Sequence, residues 1–200
     1  MNHDVTVCVT SIPPRAAMLA DALRSVAMQE LQPAAIVVEY DHNHTGAAAT
    51  KNRALAKVDT PWVAYLDDDD QMHPEHLRLL RAAADEHGAD VVYSIPHIPQ
   101  APGHVQDPCY RYGLPFSAEA LRTQSYIQTT FLCRTELLRA GGGWWCPEGS
   151  IYDDWGAARG MLDAGAVFYH LPAVTFTWSH HGYGVAGVPG NTSGQPHRWS

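Results

Sequence analysis

The chain has 200 residues, 46% of them apolar, and a formal net charge of −8 with its histidines neutral. That length suits one domain with a sizeable core, and the acidic balance excludes a broad basic surface for nucleic acid while leaving room for a local basic groove. No window is long and apolar enough for a membrane span, and residues 1–4 are polar rather than signal-like, so nothing argues for export.

Cys8, Cys109, Cys133 and Cys146 have no paired spacing, and two of them fall inside predicted strands. Reduced thiols in a cytoplasmic protein are therefore expected. The twelve histidines reverse much of the net charge in mild acid, but their number identifies no metal site.

Residues 5–9 form a β-rich run closed by Thr10, Ser11, Ile12, Pro13 and Pro14, which reads as a central first strand and a loop. Leu19, Leu23 and Val26 recur at helical spacing over residues 16–29, and Pro33 marks the exit. Residues 35–40 form a second strand, whose continuous Ile36, Val37, Val38 suits a parallel strand covered on both faces. Glu39 and Asp41 stand at its C-terminal end. Gly46 introduces a helix over residues 47–57 carrying Lys51 and Arg53.

A third strand is opened by Pro61 and runs through Trp62, Val63 and Ala64 into Tyr65, Leu66, Asp67, Asp68, Asp69 and Asp70. The helix after it has Pro74 at its first position, Leu77, Leu80 and Ala84 on one face, and Gly88 as its stop. Residues 91–95 make a fourth strand. Residues 96–115 contain five prolines without a regular period and read as a long loop, a lid or an acceptor-side wall. A strand at 129–134, a short helix at 135–140 stopped by three glycines, and an aromatic loop with Trp144 and Trp145 follow. Asp153, Asp154 and Trp155 open a helix through residue 164, with the acids at the positive end of its dipole. Residues 167–170 and 174–178 read as late strands, and the glycine- and histidine-rich tail from Ser179 as mobile without a ligand. The alternation of strand and helix predicts an α/β fold: one Rossmann-like domain with a mostly parallel central sheet flanked by helices.

The four consecutive aspartates carry the strongest chemical signal. They sit at a strand's C-terminal end, the edge at which open α/β sheets bind ligands. Two carboxylates about 4 Å apart repel by roughly 1 kcal/mol in water and about 4 kcal/mol at a semi-buried site, so four in a row call for a cation. Oxygen ligands suit Mg²⁺ or Mn²⁺. On an extended strand Asp67 and Asp69 share one face, Asp68 points the other way, and Asp70 caps the next turn. An acidic turn facing solvent is the plain alternative.

The order of these motifs resembles the GT-A glycosyltransferases of the family-2 type, from residue 5 to about 194. Thr10, Ser11, Ile12, Pro13, Pro14, Arg15 stands for the family's P-T-x-x-R loop, and Glu39 and Asp41 stand in divergent form for its nucleotide-contacting acidic pair. Thr50, Lys51, Asn52, Arg53, Ala54, Leu55 resembles A-R-N-x-G-L, and Tyr65 to Asp70 matches F-L-D-x-D-D. Asp153, Asp154 and Arg159 resemble the helix E-D-x-x-x-x-x-R, and His180, His181, Gly182 followed by Asn191, Thr192, Ser193, Gly194 resembles the closing motifs.

The resemblance implies an inverting, metal-dependent transfer of a sugar, commonly a hexose from UDP, to a hydroxyl of a soluble acceptor: a small molecule, a protein or a modified nucleic-acid base. Asp69 would ligate Mn²⁺, or else Mg²⁺; Asp67 would bind the ribose or the metal's water shell; His181, or His180 in its place, would complete the ligands. Thr10, Ser11, Arg15, Glu39, Asp41, Lys51, Arg53, Asp68, Thr192 and Ser193 would serve the donor, and Asp154 would be the base. Asp153, Trp144 and Trp145 would face the acceptor, with core packing the alternative for the tryptophans. Residues 1–95 would form the nucleotide-sugar half, 96–178 the acceptor half, and 179–200 a tail closing on the donor. The competing readings are a non-catalytic nucleotide-sugar or glycan-binding module, a sugar nucleotidyltransferase, which would need a glycine-rich first loop, and a metal-dependent phosphohydrolase or nuclease.

Overall fold

A computed structural model describes residues 4–99 and 112–179. Seven strands form one sheet: β1 (Val5–Ser11), β2 (Ala35–Tyr40), β3 (Trp62–Asp67), β4 (Gln71–Met72), β5 (Val91–His97), β6 (Phe131–Arg134) and β7 (Phe168–Thr177). Their spatial order is β2-β1-β3-β6-β5-β7-β4. The β2–β1, β1–β3 and β5–β7 pairs are parallel, whereas β6 runs antiparallel to both neighbours and β4 antiparallel to β7. Because β6 and β4 alone oppose the other five strands, the expected mostly parallel α/β sheet is present. Since β6 lies between β3 and β5, segments from both halves of the sequence share one sheet.

Strand parity sorts the core into two layers. Val5, Val7 and Val9 of β1 and Trp62, Ala64 and Leu66 of β3 pack on one side, against α1 (Ala16–Ala27) and α3 (His76–His87). Cys8, Val63 and Tyr65 pack on the other, with α2 (Ala47–Leu55), α5 (Thr135–Ala140) and α6 (Asp153–Asp163). All seven residues of β1 are buried, as a central strand covered on both faces requires. The stop predicted at Gly88 is a left-handed residue with φ 59° closing α3.

Several elements depart from expectation. The two late strands are one, β7, in which Pro172 sits where β7 has no second strand partner: β4 pairs only with Phe176 and Thr177. Proline's missing donor costs little on such an edge. The two-residue β4 and the short α4 (Ala118–Thr123) carry too little periodicity to be read from sequence. Pro96, expected in the loop, lies within β5. Cys8 and Cys133 are buried free thiols, Cys146 is half-buried and free, and Cys109 lies outside the described residues.

Behind the sheet, His76 is fully buried, its Nδ1 2.6 Å from the Thr175 hydroxyl, which is itself 2.6 Å from Ser94 Oγ. Burial, and secondarily His73, pushes the imidazole down from 6.5 to about 3. Below pH 6.5 the unfolded chain therefore binds a proton that the folded chain refuses, so stability falls on acidification by up to about 1.4 kcal/mol per pH unit from this group. In urea denaturation, the stability margin of wild type over His76→Gln should shrink between pH 7 and pH 5. An unchanged margin would contradict this assignment.

Candidate active site

The site gathers at the C-terminal ends of β1, β2 and β3, where Thr10 is in register with Glu39 on one side and Asp67 on the other. Parity carries Asp67 to the Val63 and Tyr65 face, toward α2 and α6. There it meets Lys51. The Lys51 ammonium lies 3.3 Å from Asp67 Oδ1 and 3.2 Å from Asp153 Oδ2, donates to Thr129 Oγ1 at 3.1 Å, and stands 4.6 Å from the centre of the Trp144 ring. Burial works against its charge, but Asp153, then Asp67 and Asp154, outweigh burial and hold the ammonium above its ordinary range. With 1% of its surface exposed, Lys51 does not reach out to a phosphate; it joins Asp67, the last residue of β3, to Asp153 of α6.

The strand ends at Asp67 and the chain turns, with Asp70 N donating to Asp67 O at 3.1 Å, so the alternation expected to carry Asp69 onto the face of Asp67 stops short. Asp68 and Asp69 instead share Arg15, whose Nη1 lies 2.8 Å from Asp68 Oδ1 and 3.2 Å from Asp69 Oδ2. Ser11 donates to the other Asp68 oxygen at 2.7 Å. Asp70 does not cap the next turn; it accepts from Ser179 N at 2.8 Å, fixing the end of the described chain to the cluster. Burial, then repulsion from Asp67 and Asp68, raises the Asp69 carboxyl to about 7 against the pull of Arg15. Burial and the neighbouring acids raise Asp70 still more clearly.

The divergent acidic pair is held from within. Asp41 accepts from Thr45 N, Thr45 Oγ1 and Gly46 N, which outweigh its burial and keep it below the ordinary range. Its carboxylate thereby shapes the loop entering α2. Glu39 pairs with Arg53 at 3.0 Å, so these two side chains restrain each other at the end of β2. Exposed His42 stacks on Tyr40, their ring centres 5.4 Å apart.

Asp153 and Asp154 open α6. Asp153 is 1% exposed and turned onto Lys51, while half-buried Asp154 accepts from Trp155 N at 2.7 Å. Burial, then Asp153, raises Asp154 to about 7, against Lys51 and the Trp155 amide. Helix α6 is seated by glycines: a Cβ at Gly160 would strike Gly141, and one at Gly156 would strike the Trp145 carbonyl. That close approach sets the height at which Asp154 is presented.

Trp144 corrects the acceptor-side expectation. It is 1% exposed, stacks on Phe131 and meets Tyr65 edge-on, so it is core rather than a sugar platform. Asn52, given no role by sequence, fixes it there by donating to Trp144 O at 2.8 Å and accepting from Trp144 N at 2.9 Å. Trp145 is half-buried, and Arg159 lies between it and Trp155, 5.9 and 5.2 Å from the two ring centres. Thr129, which completes the Lys51 pocket, had no motif to mark it. His180, His181, Thr192 and Ser193 lie outside the described residues.

A divalent cation fits the chemistry here. Asp67 and Asp69 offer hard oxygen donors in a run of four aspartates offset, among the described residues, by only two cations, Lys51 at Asp67 and Arg15 at Asp68 and Asp69. Among the described residues no three His, Cys, Asp or Glu side chains converge as a complete metal site, so further ligands would come from elsewhere.

The sheet and its flanking helices match the GT-A glycosyltransferase fold. The chain belongs to glycosyl transferase family 2, whose family model matches residues 15–143. Among solved structures, S. aureus TarS 1-349 in complex with UDP-GlcNAc is similar with a TM-score of 0.68 and 18% identity over 88% of this chain and 58% of that one. The mannosyltransferase PcManGT from Pyrobaculum calidifontis, in complex with GDP-Man and Mn²⁺, is similar with a TM-score of 0.66 and 16% identity over 90% of this chain and 58% of that one. The chain covers 60% of TarS 1-349 without the sugar nucleotide. No curated protein matches it. No helix among the described residues is long and apolar enough to cross a membrane.

Proposed function

We propose that the protein is an inverting glycosyltransferase that moves a hexose from a nucleotide-diphosphate donor, UDP-linked in the first instance, to an acceptor hydroxyl. The observation that carries this reading is the buried Lys51, which bonds Asp67 on the donor side and Asp153 beside the base, so both acid groups serve one site. Asp154 takes the proton from the acceptor hydroxyl as it attacks the anomeric carbon, and the bond to the diphosphate breaks on the opposite face, giving inversion. Its raised proton affinity suits a base working near neutral pH.

Asp69 and Asp67 would hold Mn²⁺ or Mg²⁺, with His181 or His180 assigned by resemblance alone. Bound there, the cation would neutralise the charge developing on the departing diphosphate. Arg15, Arg53, Ser11 and Thr10 line the donor side, and Thr192 and Ser193 are assigned to the diphosphate by resemblance. Residues 1–95 would bind the donor, 96–178 the acceptor, and 179–200 would close over the donor and exclude water. Trp145 is the tryptophan still available to an acceptor, which would be a soluble molecule. Buried free Cys8 and Cys133 fit a cytoplasmic setting.

Calorimetric titration with UDP-, GDP- and dTDP-sugars in Mn²⁺ tests the donor assignment. One nucleotide should bind at least tenfold tighter than the others and lose that affinity in Asp69→Ala. Equal, weak binding of all three would overturn the reading. Binding without turnover in the presence of candidate acceptors would instead favour the non-catalytic module.

A further inference from the structure

We propose that Arg15 is a resident counter-cation of the acidic cluster, so that metal capture at Asp69 is coupled to arrival of the nucleotide. The inference rests on the function proposed above and concerns the order in which its two ligands are taken up. Arg15 Nη1 bridges Asp68 Oδ1 and Asp69 Oδ2, and the three side chains are 10%, 4% and 9% exposed, so solvent screens this contact weakly. A guanidinium keeps its proton in proteins. A divalent cation approaching Asp69 therefore meets a fixed positive charge already on the same oxygen.

The structure also provides for release of Arg15. Asp68 keeps the Ser11 hydroxyl at 2.7 Å, so it is not orphaned when the guanidinium leaves. Arg15 ends a three-residue 3₁₀ turn, Pro13–Arg15, whose prolines restrict the backbone, so release would be a side-chain movement. A diphosphate offers the planar, five-donor guanidinium an anionic partner in exchange for Asp69. Each ligand thus lowers the cost of the other, which is positive coupling and is reciprocal. Asp68 then acts as a positioning residue for Arg15 and not as a metal ligand.

The test is Mn²⁺ binding followed by the paramagnetic resonance signal of the free ion, with and without UDP or GDP, in wild type, Arg15→Gln and Arg15→Lys. In wild type the nucleotide should tighten Mn²⁺ by about 5-fold or more beyond what the same nucleotide takes up in protein-free solution. Arg15→Gln should bind Mn²⁺ alone several-fold tighter than wild type and show a several-fold smaller nucleotide effect, the remainder coming from diphosphate oxygens on the ion. Arg15→Lys, which keeps the charge, should bind Mn²⁺ alone as weakly as wild type. Should Arg15→Gln bind Mn²⁺ no tighter than wild type, or show the same nucleotide effect, the counter-cation role is wrong while the transferase reading stands. Wild type that binds neither Mn²⁺ nor either nucleotide overturns both.

Discussion

Asp154→Asn should lower the rate of sugar transfer by about 10²- to 10⁴-fold, the usual contribution of a positioned general base, while leaving nucleotide affinity unchanged. The amide keeps the carboxylate's shape and still accepts from Trp155 N, so α6 stays in place and the basic oxygen alone is lost. A pH profile gives a second reading, with Asp154→Asn as its control because Asp69, also raised to about 7, titrates in both proteins. Burial and Asp153 hold the Asp154 carboxyl at about 7, and a base works when deprotonated, so the wild-type rate should rise through pH 7 and level off above it. Below pH 7 it should fall about tenfold per unit as the carboxyl takes up its proton. Steady-state transfer between pH 5.5 and 8.5 checks this; a flat profile would remove Asp154 from the role.

Lys51→Met should be the most damaging substitution for stability. It leaves Asp153, 1% exposed, without its cation, and breaking a buried ion pair from one side costs about 3–5 kcal/mol. Chemical denaturation measures the loss directly. Any folded fraction should also show its pH profile displaced to higher pH, because Lys51 is the cation that holds Asp154 down against burial and Asp153. Lys51→Arg keeps the charge and should recover most of both effects. A merely structural lysine would change stability and leave the profile where it was.

The sequence carried the sheet well because its signals are periodic. Val5, Val7 and Val9 against Cys8, and Trp62, Ala64 and Leu66 against Val63 and Tyr65, alternate between two core layers, and Gly88 stops its helix as expected. The same alternation places Asp67 beside Lys51, but it fails one residue later, where the strand ends and a turn brings Asp68 and Asp69 to Arg15. Where a strand stops is a tertiary outcome that four identical residues do not mark. Lys51 was legible as a candidate and misleading as to role: a lysine on a helix ordinarily faces solvent, and its burial depends on Asp153, 102 residues away. Trp144 failed for a related reason, since Asn52 and Phe131 draw it into the core from distant parts of the chain. Thr129 belongs to no motif and becomes visible once the fold brings it to the ammonium.

The central claim is that the acids after β3 and the acid at the start of α6 serve one metal-assisted transfer. Its most direct measurement is release of nucleotide diphosphate from a UDP-, GDP- or dTDP-sugar by wild type, Asp69→Ala and Asp154→Asn, each with Mn²⁺ and with chelator. The account predicts that wild type releases the diphosphate from one donor, slowly by hydrolysis even without an acceptor. It further predicts that chelator and Asp69→Ala abolish release, while Asp154→Asn abolishes the acceleration an acceptor brings. Release that survives both chelator and Asp69→Ala would contradict the account.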